Sequence, residues 1–239
     1  MTGREVLVAC LCAVLVAGTA AGLLVRGKAR LCRSFFAYLL VVVATSQLAV
    51  WVPTPFFSWR FWILRQTTYD VLRALIALEI ALLTFSDMPL ARRRAEWVLG
   101  GVLVLALAVA LLPTQTGHPY LAALGVVAPR GTATSLWLFL GVLAVAFWYR
   151  APVHPLHRSL LLSFTLYLGA ATWLLGLVGL AAKSRPAYLA AHAYLSALEP
   201  LAFGVTAGFW AWAAWRTQPA RALSPAVAER LQPWAVQQC

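Results

Sequence analysis

Charge is the first thing this chain is short of. Only 11% of its 239 residues are charged and just seven are acidic, where a soluble domain carries about 25% charged residues. Apolar residues reach 62% and the mean hydropathy is +0.81. Too few charges remain to cover a water-facing surface, which excludes an ordinary soluble domain, a disordered chain and a soluble nucleic-acid binder. The four cysteines build no framework: Cys10 and Cys12 are two apart, on nearly opposite faces of a helix, and Cys32 and Cys239 stand alone. Histidine is equally sparse. His154-Pro-Leu-His157 has metal-like spacing but no Cys or carboxylate beside it in sequence, and a bis-histidine haem needs facing histidines on two helices. Neither a metal nor a cofactor is expected. The chain also lacks a Gly-rich phosphate loop, Gly-x-Ser-x-Gly and His-Glu-x-x-His, so no enzyme signature is present.

What is there is long apolar runs. A bilayer core of about 30 Å needs around 20 helical residues, because in lipid a helix satisfies its own backbone polar groups. Seven such runs are expected: residues 6–25, 34–52, 66–86, 97–112, 132–149, 159–182 and 189–215. The fold class is thus an all-α, polytopic membrane helix bundle over residues 1–216, with a short tail at 217–239. The first run could be a signal peptide, since Ala17-Gly-Thr-Ala20-Ala21 offers small residues. Its length and the positive flank of Arg26, Lys28, Arg30 and Arg33 favour a retained helix.

Orientation follows from the Lys/Arg asymmetry of short loops. Twelve positive residues fall after the first, third, fifth and seventh spans and six on the other side. The N-terminus is therefore expected outside and the C-terminus in the cytoplasm. The formal charge of +12 becomes a topology signal and an attraction to anionic membrane lipid, and no nucleic-acid partner is expected. The aromatic segment Pro53 to Arg65 reads as an interfacial belt at a helix end, or as a segment folded over the bundle mouth. Pro113 to Gly131 reads as a lid or a plain connector.

Ionisable groups inside spans are costly and are the default functional candidates. The third span holds Asp70, Arg73 and Glu79; the seventh holds His192 and Glu199, the latter followed by Pro200. Asp70 and Arg73, three apart, can pair. Glu79 projects from the opposite face and must find another helix or stay protonated. Counted from Gln66 and Leu189, Glu79 and Glu199 lie about 20 and about 15 Å deep, so they could share a layer. Packing glue, a proton site and a cation site are all compatible with that pattern. Pro200 is expected to kink its helix. Gly18 and Gly22, with Gly204 and Gly208, form small-xxx-small faces that let the first and seventh spans meet each other or a second copy.

Seven helices with an outside N-terminus invite comparison with rhodopsins, but the only lysines, Lys28 and Lys183, lie in loops, so no Schiff base is possible. Phe35-Phe36-Ala-Tyr38-Leu-Leu in the second span and Tyr69-Asp-Val-Leu-Arg-Ala-Leu-Ile-Ala-Leu-Glu79-Ile in the third resemble the bacterial seven-helix modules found alone or fused ahead of histidine kinases. The resemblance covers spans two to four. It implies a sensory or signalling domain of a bacterial inner membrane with a glutamate in the third helix; lacking an output domain, the chain would act through a protein partner or as a homo-oligomer. The expected function is a non-enzymatic sensor-like or scaffold module. The alternative is a small proton- or ion-coupled transporter using Glu79 and Glu199, although no internal three-plus-three repeat is evident. An intramembrane enzyme with His192 and the carboxylates as acid–base groups ranks last.

Overall fold

The structure is a computed structural model that describes residues 3–51, 59–86, 93–94, 96–98, 100–101, 104, 128–181 and 185–216. Among the described residues there is no strand. Six α-helices follow in order: α1 (Gly3–Val25), α2 (Arg33–Trp51), α3 (Trp59–Thr84), α4 (Ala128–Trp148), α5 (Pro155–Ala181) and α6 (Arg185–Trp215). A 3-10 turn, Lys28–Leu31, joins α1 to α2. Residues 93–94, 96–98, 100–101 and 104 are also helical. The rest of the expected fourth span at 97–112, most of the Pro113 to Gly131 segment and the tail at 217–239 lie outside the described residues.

Each helix packs on the next, and α6 returns to α1, so the six close into a ring. Contacts at the helix ends fix their directions. The turn after α1 bonds the C-terminal carbonyls of α6, Glu79 near the end of α3 bonds the start of α2, and His157 at the start of α5 meets Leu31. The C-termini of α1, α3, α4 and α6 therefore share one end with the N-termini of α2 and α5. That end is called the turn end below.

Two C-caps show how the chain leaves its helices. Gly27 has φ 65°, the left-handed conformation that closes α1 at no steric cost. Arg150 takes φ 47°, and Ala151 N–H reaches Ala146 O at 2.9 Å while Arg150 N–H reaches Phe147 O at 3.1 Å. This is a Schellman cap with arginine where glycine is usual.

The third helix begins seven residues earlier than expected. Trp59 to Arg65 is continuous α3, so the charged, aromatic half of the expected interfacial segment is helix; residues 53–58 lie outside the described residues. Long apolar and aromatic side chains with two arginines look interfacial by composition, yet all are compatible with helix.

The interior is aromatic. Phe35, Tyr38, Phe139, Phe164 and Trp210 are almost wholly buried. Phe164 stacks on Phe139 at 4.8 Å and receives the edges of Phe35 and Tyr38. Trp210 joins that cluster and donates its Nε1–H to Ser163 Oγ at 2.6 Å. The outer surface is apolar: Val14, Leu24, Leu166, Trp173, Leu180 and Val205 are all exposed. Among the described residues two helical stretches, Pro129–Trp148 and Pro155–Ala181, are long and apolar enough to cross a membrane; Cys10–Val25 and Arg33–Leu48 are apolar but shorter.

Candidate functional site

Arg73 sits at residue fifteen of a helix of 26, near the middle of α3, and only 5% of its side chain is exposed. A guanidinium cannot shed its charge there, so the surrounding residues must accommodate it. Asp70, one turn earlier, accepts its Nη1–H at 3.0 Å. Three phenol rings close around the other sides: Tyr38 from α2, Tyr69 from α3 and Tyr167 from α5, with ring centres 5.9–6.0 Å from the guanidinium carbon. The Nε of Arg73 is buried and has no hydrogen-bond partner, so the cage satisfies the charge better than the full donor set.

Asp70, Tyr69 and Tyr167 are each held by a further group. Asp70 accepts from Gln66 Nε2 at 3.4 Å and from Ser135 of α4 at 3.5 Å. Gly131 on α4 lies so close that a Cβ there would overlap Asp70 Oδ2. Tyr69 shares a short hydrogen bond with Thr45, whose hydroxyl also bonds Val41 O at 2.8 Å. Tyr167 donates its hydroxyl to Glu199 Oε1 on α6 at 2.8 Å. One network thus links α2, α3, α4, α5 and α6 through polar side chains in the interior of the ring.

Glu79 belongs elsewhere. Its Oε1 accepts the N–H of Arg33 and its Oε2 the N–H of Ser34, both at 2.8 Å, so it supplies the N-terminal cap of α2 from another helix. The reason lies in the start of α3: measured from Trp59, Glu79 is about 30 Å along the helix, at its far end, and Arg73 takes the central layer at about 21 Å. Glu199, fourteen residues past Arg185, lies about 21 Å along α6. Helices α3 and α6 stand across the ring from each other. Glu79 and Glu199 are therefore not brought together; Glu199 is placed with Asp70, Arg73 and the tyrosines.

His192 lies in α6, but its side chain lies outside the described residues. Helix α6 runs through Pro200 without a break, and the Pro200 carbonyl receives Cys12 Sγ at 3.9 Å. The glycine faces divide unequally. At Gly22 a Cβ would come within 2.8 Å of Trp215 Nε1, whose N–H is bonded to Gly18 O at 3.0 Å. Gly204 is in ordinary contact range of Cys12, and a Cβ on Gly18 or Gly208 would meet nothing within 4 Å. The α1–α6 seam is thus close-packed at Gly22.

The turn end carries a second polar group. Lys28 points all three ammonium hydrogens at α6, to Ala213 O, Ala214 O and Arg216 O at 2.9–3.2 Å, which satisfies the open C-terminal carbonyls of that helix. Burial, then the neighbouring Arg26, holds the Lys28 ammonium below its ordinary value. Burial and the adjacent Glu79 carboxylate push the Cys32 thiol up to about 12. His157 Nε2 lies 3.0 Å from Leu31 O; since a carbonyl can only accept, Nε2 carries the proton. His154 Nδ1 accepts the Leu156 N–H at 3.3 Å. Among the described residues no three His, Cys, Asp or Glu side chains come together to hold a metal.

Sequence reasoning missed Tyr38, Tyr69, Tyr167, Ser135 and Gly131 as site residues. Tyr38 and Tyr69 stand inside the two segments that carry the resemblance, but a tyrosine in an apolar run gives no local sign that it faces a charge. Comparison of the chain with family models, with curated protein sequences and with solved structures gives no match.

Proposed function

We propose that the chain is a seven-span inner-membrane protein with its N-terminus outside and its C-terminus cytoplasmic, a non-enzymatic sensor-like or scaffold module that acts through partner subunits. The apolar outer surface supports the membrane part of this reading: Leu166, Trp173, Leu180 and Val205 are exposed, while Arg73, Ser135 and Ser163 are buried within the bundle. Helix direction supports the odd number of spans. Helix α3 ends at the turn end and α4 starts at the other, so one further crossing by the intervening chain accounts for the topology. Helical residues 93–94, 96–98, 100–101 and 104, with Val98 against Gly141 and Arg94 over Tyr149, fit that crossing. The turn end collects Arg26, Arg30, Arg33, Arg150, Arg158 and Arg216, which suits the cytoplasmic face.

The observation that carries the signalling part is the Arg73 cage. A single buried charge is shared among contacts from several helices, so a small shift of any one re-partitions the set. Modules of this kind transmit by helix displacement or association. The resemblance to bacterial seven-helix signalling modules in spans two to four points the same way.

The transporter alternative keeps one supporting feature, the Tyr167–Glu199 pair beside Arg73, with Glu199 as its carboxylate. Glu79, engaged as a helix cap, is less suited to carry an ion. The test is mild-detergent purification of the tagged full chain, with co-eluting proteins identified by mass spectrometry and proton flux measured after reconstitution. A stoichiometric partner and no flux support the sensor or scaffold reading. A lone protein whose proton flux is lost in Glu199→Gln overturns it in favour of transport.

A further inference from the structure

The turn end gathers exposed arginines around one anchored turn. Arg26, Arg30 and Arg33 lie within eight residues and are all exposed. The His157–Leu31 contact sets exposed Arg158 beside the same turn, and the Lys28–Arg216 contact sets exposed Arg216 there as well. These five arginines surround a turn that is itself held in place: Lys28 is anchored on α6, and Cys32 is buried. Opposing acid is scarce. Glu79 has both oxygens engaged by backbone N–H groups, and Glu96 is the other described carboxylate toward this end.

Aromatic side chains frame the patch at the depth where chain and headgroup meet. Arg216 stacks on Trp212 with 5.0 Å from guanidinium carbon to ring centre. Trp148, Trp212 and Trp215 are exposed, as rings at a membrane interface are. Four helix C-termini converge here, and their partial negative charge would favour cations in the last turns. Lys28 answers one of them directly; Arg26, Arg30 and Arg216 follow helix C-termini, Arg33 and Arg158 stand in the first turns of α2 and α5, and all five are exposed.

We infer that this surface is a docking site for acidic phospholipid headgroups, built by Arg26, Arg30, Arg33, Arg158 and Arg216 around the Lys28–Leu31 turn. The inference rests on the membrane reading above. Guanidinium groups recognise phosphate by paired N–H donors, and the fixed turn holds them ready. The complementary partner is an anionic lipid in the leaflet facing this end.

The experiment uses the full chain in nanodiscs. Protein is first placed in phosphatidylcholine alone, then in equal phosphatidylcholine and phosphatidylglycerol of matched acyl chains, and lipids retained on the protein are counted by native mass spectrometry. Phosphatidylglycerol is expected to be enriched several-fold on the wild type. In Arg26→Gln/Arg30→Gln/Arg33→Gln the enrichment is expected to fall at least about five-fold, the equivalent of roughly 1 kcal/mol for one cation near an anionic surface. Arg60→Gln/Arg130→Gln, at the other end, is expected to retain it. A wild type that enters phosphatidylcholine discs as a folded helical protein but shows no preference overturns this inference and leaves the membrane reading standing. Failure to enter discs of either composition overturns both. Equal loss in the two variants, or full displacement of lipid by soluble glycerol phosphate at equal concentration, also overturns it.

Discussion

Glu79 caps α2 from a distance of 45 residues, its Oε2 receiving the backbone N–H of Ser34 at 2.8 Å. The second oxygen takes Arg33 in the same way. Two of the four open donors at a helix start are thereby satisfied by one carboxylate, and its negative charge sits where the helix dipole favours it. The contact locks the end of α3 to the start of α2, beside the buried thiol of Cys32.

Removing that cap has a graded outcome. Glu79→Gln keeps one acceptor oxygen and sets an amide NH2 against the other N–H, so a loss of about 1 kcal/mol is expected. Glu79→Ala forfeits both bonds and is expected to cost about 2 kcal/mol, the upper end for a helix cap. Thermal unfolding of the two variants in one detergent reads the difference. Equal stability of Ala and wild type would contradict the assignment of Glu79 as a cap.

That role was not legible in the sequence, and the reason is physical. The periodicity of apolar runs locates most helices to within a few residues, because burial in a ring of helices follows composition. It does not fix where α3 begins: Trp59 to Arg65 has the composition of an interface and the backbone of a helix. A shift of seven residues moves every depth on α3 by about 10 Å, which carries Glu79 from the central layer to the end and Arg73 into the centre. The pairing of Asp70 with Arg73 is local, three residues on one helix, and spacing alone suggests it. Tyr167, Ser135 and Ala213 come from helices far away in the chain, and nothing near Arg73 or Lys28 encodes them.

The Arg73–Asp70 pair is expected to behave as a unit. Arg73→Met leaves Asp70 partly buried beside an apolar chain, a loss of about 3–5 kcal/mol for a broken buried pair. Arg73→Met/Asp70→Asn removes both charges and is expected to recover most of it, since coupled neighbours do not add. Chemical unfolding of the two singles and the double closes the cycle; strict additivity would show that the two side chains do not interact.

Across the α5–α6 seam, Tyr167→Phe deletes the donor to Glu199 while keeping the ring beside Arg73. Glu199 is only partly buried, so the lost hydrogen bond is expected to cost about 1 kcal/mol. Glu199→Gln still offers an oxygen to the hydroxyl and is expected to be milder. Midpoints of thermal unfolding that fall in the reverse order would place the stabilisation in the ring packing instead of the hydrogen bond.

Cys32 makes a prediction about pH. An unfolded thiol releases its proton near 8.5, while in the folded protein burial and Glu79 keep it until about 12. Between those values the folded state holds a proton that the unfolded state has given up. The stabilisation is complete below about 8.5 and is lost as pH rises toward 12. Lys28, lowered by burial and Arg26, acts in the opposite sense over the alkaline range. Comparing the wild type with Cys32→Ala isolates the thiol: the variant is expected to lose less stability between pH 8 and pH 10. Iodoacetamide at pH 8 should leave Cys32 unmodified until the protein unfolds.

The seam between α1 and α6 depends on one missing side chain. Trp215 lies over Gly22 and donates to the carbonyl of Gly18, so a methyl at position 22 meets the rigid indole at 2.8 Å. The ring cannot give way without breaking its hydrogen bond, and overpacking of this kind costs typically 1–3 kcal/mol, so about 2 is expected for Gly22→Ala. Gly18→Ala, where nothing lies within 4 Å, is expected to be neutral, although both glycines belong to the same small-xxx-small face. Trp215→Leu is expected to relieve most of the loss in Gly22→Ala while costing some stability by itself. Thermal unfolding of the four variants decides it. If Gly18→Ala proves as damaging as Gly22→Ala, the seam is set by general helix approach along the whole face and not by the seating of Trp215 on Gly22.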